Sequence, residues 1–292
     1  MALDDRFSAR TRHAEQLLTE WGIRELPIDP IQIAEDNGIL VKAMSADKEG
    51  VSGMLVRNGN DFAIAYATHL GLDGFQRFSI AHELGHFFSP GHSEQLLQGG
   101  VHQSRAGFVS QDPFEKEADH FAAGLLMPRR LFQPEMSRLK VDGLSAIEAM
   151  REKCGTSLTA TAIQYVKYTD SPMAIVVSTG DRVDYCFISE SLQELPELDW
   201  PRKGSPLPAG TATRMFNQDK AKVAAGSEEE AISDVSEWLG GRWDIELREE
   251  IKGLGRYGKT LTVLTPTEPF DIEELQDEEE LEESWTPRFK KR

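Results

Sequence analysis

Apolar positions recur with a helical period over residues 6 to 20, where Phe7, Ala14, Leu17 and Leu18 stand among charges, with Trp21 beyond them and Gly22 as a stop. Pro27 to Pro30 lead into a short helix, Ile31 to Asn37, and Ile39-Leu40-Val41 reads as a strand. Val51 to Arg57, the turn Asn58-Gly59-Asn60 and Asp61 to Tyr66 predict a hairpin. The second strand of that hairpin either offers an edge to an extended peptide or is covered. Around Arg77 to Phe88 the pattern is apolar on most of the wheel. Phe78, Ile80, Ala81, Leu84, Gly85, Phe87 and Phe88 occupy most directions, and Ser79, His82, Glu83 and His86 share one sector roughly 100° wide. Such a helix is buried, and a buried polar sector is costly unless a metal or full hydrogen bonding satisfies it.

Ser89-Pro90-Gly91-His92 closes that helix, and residues 93 to 110, rich in Gln, Gly and Ser, read as a mobile loop. His92 and His102 fall in this stretch, where histidines are as a rule solvated; contact with a site is the alternative. Asp112 and Pro113 are an N-cap and a first helical position, and the helix runs from Phe114 to Met127 with Pro128 as its end. Its stripe of Glu115, Ala118, Asp119, Ala122, Leu125 and Leu126 is about 120° wide, with Glu117 and Gly124 nearly opposite. Helices over Leu144 to Cys154 and Leu158 to Tyr168 follow. Beyond Ser171-Pro172 the texture changes to a hairpin (Met173 to Ser178, Arg182 to Ile188) and an irregular Pro-rich stretch. After these come an acidic helix from Glu228 to Leu239 and a second hairpin from Trp243 to Ile251 and Thr260 to Leu264.

The chemistry concentrates in His82-Glu83-Leu84-Gly85-His86. Two histidines four apart on a helix aim at one ion, and the intervening glutamate can take the proton of the attacking water, the mechanics of H-E-x-x-H. Glu115, on the interior stripe of a second helix, is the candidate third ligand. Asp119, one turn on, is placed to accept the free ring N–H of a ligating histidine. The alternative makes both ordinary acids favoured by the helix dipole, which suits Glu115 in the first turn better than Asp119 in the second. Tyr165 is most economically core, and could instead polarise a scissile carbonyl.

These residues resemble the ImmA/IrrE metallopeptidases over roughly residues 10 to 170, through Arg77 to His86, Glu115 to Pro128 and Val51-Ser52-Gly53-Met54. The resemblance implies a gluzincin-type site with one Zn²⁺ per chain, in which His82, His86 and Glu115 are ligands, Glu83 is the catalytic acid and Asp119 supports them. The expected fold is α+β. Residues 1–170 form a zincin-like metallopeptidase domain of helices with a small β-sheet and the His82 helix at its centre. Residues 171–267 form a smaller α+β domain, and residues 268–292 an acidic, disordered tail. Members of this family act as regulators, several by promoting cleavage of a helix-turn-helix repressor, and many carry a DNA-binding domain ahead of the peptidase core. Too few residues precede the core here for such a domain, so operator binding is not expected.

Charge and composition narrow the function. The 292 residues carry 49 acids against 32 bases, a net charge of −17, which disfavours nucleic acid and anionic membrane and permits a basic protein partner. No apolar run approaches the ~20 residues of a membrane span, and Met1 to Arg6 has no secretory pattern. Cys154 and Cys186 lack the spacing of a metal or redox motif and read as buried thiols in a reducing cytoplasm. The expected function is a cytoplasmic, regulatory zinc endopeptidase whose substrate is a basic DNA-binding repressor. The alternative is a non-catalytic, metal-containing regulator that binds and displaces such a repressor.

Overall fold

The computed structural model describes residues 2–44, 50–68, 73–105 and 112–270. The expected tail, from residue 271 on, and residues 106–110 of the expected loop lie outside them. The fold is α+β, with 12 helices and two sheets among the described residues, and it divides into two units, Met1–Gln164 and Tyr165–Arg292. No helix among the described residues is long and apolar enough to cross a membrane.

The first unit runs α1 (Ala2–Glu20), α2 (Pro30–Asp36), β1 (Ile39–Met44), β2 (Val51–Asn58), β3 (Asp61–Ala67), α3 (Asp73–Phe88), α4 (His92–Leu96), β4 (Val101–Arg105), α5 (Pro113–Leu126), α6 (Arg129–Met136), α7 (Gly143–Cys154) and α8 (Leu158–Tyr168), the last reaching past the division. Short polar signals set several of these ends. Asp29 caps α2 by accepting from the backbone of Ile31, and Asp112 caps α5 by accepting from Phe114, each followed by a proline whose missing N–H costs nothing at that position. α5 ends at Leu126, just before Pro128 as expected, and a separate helix, α6, follows Pro128 directly and takes Pro134 into its last turn.

The sheet order is β1-β3-β2-β4. β3 pairs with β1 in parallel and with β2 antiparallel, so it has no free edge and the peptide-binding edge considered for it does not exist. The expected mobile loop is also corrected. Its start forms α4, and Val101–Arg105 joins β2 as an antiparallel strand at the edge of the sheet.

Helix α3 packs on β2 and β3 with one face and on α5 with another, and α5 in turn packs on α1. Its buried Ile80, Ala81 and Leu84, together with Leu55, Ile64, Ala118, Phe121 and Leu125, make the core of this unit. Two glycines set the close approaches. A Cβ at Gly85 would lie 3.0 Å from Ala118 Cα, and one at Gly124 would lie 2.8 Å from the Thr11 carbonyl oxygen on α1. The face of α5 that carries Gly124 and Glu117 is therefore covered by α1, whereas the wheel alone leaves it to solvent.

The second unit contains β5 (Ala174–Thr179), β6 (Arg182–Ile188), α9 (Glu190–Gln193), α10 (Ala212–Phe216), α11 (Lys220–Ala225), β7 (Glu228–Asp234), α12 (Val235–Leu239), β8 (Glu246–Gly253) and β9 (Thr260–Pro266). The five strands order as β6-β5-β9-β8-β7. The acidic helix expected over Glu228 to Leu239 is confined to Val235–Leu239, and the preceding seven residues form an edge strand against β8. Acids are tolerated on an edge that lysines neutralise, and here Lys252 pairs with Glu228 and Lys222 with Glu229. Trp238, Trp243, Val176, Leu247 and Leu264 belong to the apolar core of this unit.

Candidate metal centre

On α3, His82 and His86 stand one turn apart, 6% and 0% exposed, with Nε2 atoms 3.0 Å from each other. Gly85 lets α5 come close enough to bring Glu115 opposite them. Its Oε2 lies 3.4 Å from His82 Nε2, and its Oε1 lies 3.2 Å from His86 Nε2. A tetrahedral ion with bonds of about 2.0–2.1 Å holds its donors about 3.3 Å apart, close to the spacing of the two ring nitrogens and of each ring nitrogen from one oxygen of the Glu115 carboxylate. Among the described residues, His82, His86 and Glu115 form a group whose ligand atoms lie close enough together to share one ion. Two imidazole nitrogens and a carboxylate oxygen suit zinc.

Asp119, one turn after Glu115, has Oδ1 2.9 Å from His82 Nδ1. A carboxylate can only accept there, so His82 carries a proton on Nδ1, and Nε2 is the atom it turns toward the other two groups. Burial alone would lower the His82 pKa. The hydrogen bonds to Asp119 and Glu115 outweigh it and push the value up to about 10. A cation entering the centre replaces that proton. His86 goes the other way, down to about 3, because burial and the positive charges of His82 and His102 oppose a second cation. Burial would raise the Glu115 pKa, yet the close contacts with His102, His82 and His86 hold the carboxyl far below the usual range.

Glu83 is fully buried, and neither of its carboxylate oxygens has a hydrogen-bond partner. Room for it comes from Gly53 on β2, where a Cβ would stand 2.6 Å from Glu83 Oε1. Burial raises its pKa, opposed by the charge of His82, the neighbouring Ser104 hydroxyl and the charge of His102. A carboxylate left unpartnered at zero exposure is costly unless a cation or a substrate water completes its surroundings.

Three residues that sequence reasoning leaves in a loop or on a surface belong to this neighbourhood. His102 on β4 places Nε2 2.9 Å from Glu115 Oε1 and donates to the same carboxylate that faces the centre. His92 is fully buried, with Nδ1 3.0 Å from His86 Nδ1 and Nε2 3.1 Å from Glu117 Oε2. Glu117, read as exposed, is 0% exposed and also pairs with Arg10, at 2.6 Å, and with Arg6 of α1. The available signal was the i, i+4 spacing of Arg6 and Arg10 on α1, which makes a two-armed cationic face in want of an acid. Tyr165 is buried on α8 and falls in the second unit; it is not one of the side chains that these distances bring together.

No curated protein sequence matches this chain. A solved structure described as a Mycobacterium tuberculosis transcriptional regulator is similar in fold, with a TM-score of 0.55 at 14% identity, covering 91% of this chain and 81% of that one. The family model of the IrrE N-terminal-like domain, Peptidase_M78, matches residues 34–162, a span that contains both α3 and α5. The stretch of the chain that carries His82, Glu83, His86, Glu115 and Asp119 is thus similar to that family's domain.

Proposed function

We propose that this protein is a zinc-dependent endopeptidase of regulatory type, with a zincin-like arrangement of α3, α5 and the first sheet, that hydrolyses a peptide bond in a protein substrate. The observation that carries this is the meeting of two histidine nitrogens 3.0 Å apart with the Glu115 carboxylate, whose oxygens lie 3.2 and 3.4 Å from them, with a buried glutamate lacking hydrogen-bond partners beside them. His82, His86 and Glu115 would hold one zinc ion, and Glu83 would be the catalytic base. When bound, zinc lowers the pKa of a coordinated water and polarises a carbonyl. Glu83 would take a proton from an attacking water as the water oxygen bonds to the peptide carbon, and would pass that proton to the leaving nitrogen as the C–N bond breaks. Its raised pKa suits a group that must accept a proton and release it again. Asp119 keeps the His82 lone pair aimed inward throughout.

A regulator that merely binds and displaces a repressor has no use for a carboxylate buried without partners, and this favours the enzyme. The net charge of −17 and the regulator-like structural neighbour support a basic, DNA-binding repressor as substrate, met in the cytoplasm and cut in an exposed segment. The test is to incubate zinc-loaded protein and chelator-stripped protein with the soluble proteome of the source cells and to map new protein N-termini. We expect new termini that depend on zinc and fall in a basic DNA-binding protein. A proteome with no new termini would overturn the peptidase assignment, and cleavage confined to acidic proteins would overturn the substrate class.

A further inference from the structure

We infer that His92 and Glu117, clamped by Arg6 and Arg10, are positioning residues that fix His86 as its Nδ1–H tautomer and so aim its Nε2 lone pair at the metal position. This rests on the metal-centre reading above and extends it to residues outside the donor set. Protons can be assigned along the chain from its far end. Glu117 pairs with two guanidinium groups and acts only as an acceptor, so the 3.1 Å contact from His92 Nε2 is an N–H donated to Glu117. With that nitrogen protonated, a neutral His92 presents a lone pair at Nδ1. The 3.0 Å contact to His86 must then be His86 Nδ1–H donated to His92. Neutral His86 is left with its lone pair on Nε2, the atom 3.0 Å from His82 Nε2 and 3.2 Å from Glu115 Oε1. The opposite order would put a hydrogen on His86 Nε2, where it would block a metal.

The two ligating histidines thus have separate supports, Asp119 for His82 and the longer His92–Glu117 chain for His86. His92 is held in place by more than hydrogen bonds, because its ring packs edge-on against Phe114 at 4.7 Å between centroids. The chain also begins in an unexpected part of the molecule. Arg6 and Arg10 lie on α1, ahead of the residues that match the family, 34–162, so a helix outside the matched domain contributes to the orientation of one ligand.

The test uses the full chain with histidine labelled by ¹⁵N, and reads both ring tautomers and zinc affinity by competition with a chelator. In the wild type, His86 should show Nδ1 protonated and His92 Nε2 protonated. His92→Leu keeps the apolar packing and removes the acceptor, and should weaken zinc binding about 10- to 100-fold. His92→Asn, whose side-chain oxygen falls where Nδ1 was, should restore affinity close to the wild-type value together with the Nδ1–H signal of His86. Wild-type protein that binds no zinc would sink the metal centre and this proposal with it. Zinc-binding wild type with the hydrogen on His86 Nε2, His92→Leu that binds as tightly as wild type, or His92→Asn that recovers neither readout, would overturn the positioning chain and leave the metal centre standing. If His92→Leu does not fold, the wild-type tautomers and His92→Asn still decide.

Discussion

Glu83→Gln should keep zinc and fold while losing peptide cleavage by a factor of about 10² or more, the usual worth of a positioned general acid–base. Glutamine has nearly the same shape, so it fits the space that Gly53 leaves against β2, and it does not disturb His82, Glu115 or His86. What it loses is the ability to accept a proton. The same change removes a charge that is buried without hydrogen-bond partners, so the variant should melt no lower than wild type. A residue kept for packing would show the reverse, lower stability with unchanged turnover. Wild-type cleavage rates in Glu83→Gln, at matched zinc content, would remove Glu83 from the chemistry.

Glu117→Ala should destabilise the fold by about 3 kcal/mol, the lower end of what breaking a buried ion pair costs. The lower end applies because Arg6 and Arg10, with side chains 44% and 20% exposed, can reach water once released, whereas fully buried His92 cannot. Surface substitutions lie within about ±0.5 kcal/mol, which is the effect to expect if Glu117 faced solvent, as its place on the wheel implies. Urea unfolding of metal-free wild type and variant separates the two. A change below ~0.5 kcal/mol would mean that the contacts to Arg6, Arg10 and His92 carry no stability.

The contrast between Glu115 and Glu117 shows where a sequence is informative. A helical wheel tells correctly that the two glutamates point in different directions, and it puts Glu115 with Asp119 on the face that meets His82 and His86. It cannot say what covers the other face, because α1 is about a hundred residues away in the chain and its approach depends on Gly124 meeting Thr11. His92 and His102 are hidden for the same reason. Neither sits in a stretch with apolar periodicity, and each acquires its role through a partner on another element, His92 through Glu117 and His102 through β2 and Glu115. The helix caps at Asp29 and Asp112 are legible because a cap is a contact two or three residues long. Strand partners are not local. The hairpin of β2 and β3 is readable at its Asn58-Gly59-Asn60 turn, whereas the parallel pairing that brings β1 to the outer side of β3 is not. Glu228 to Asp234 looks helical for want of its partner, since three successive glutamates become an acceptable strand only beside Lys252 and Lys222.

Whether His82, His86 and Glu115 hold a zinc ion next to Glu83 can be decided by anomalous diffraction from crystals of zinc-loaded protein. Data collected on both sides of the zinc absorption edge should give one strong difference peak per chain, about 2.0–2.1 Å from Nε2 of His82, Nε2 of His86 and a Glu115 carboxylate oxygen. No peak between these three side chains in protein saturated with zinc, or a peak held by other residues, would contradict that assignment.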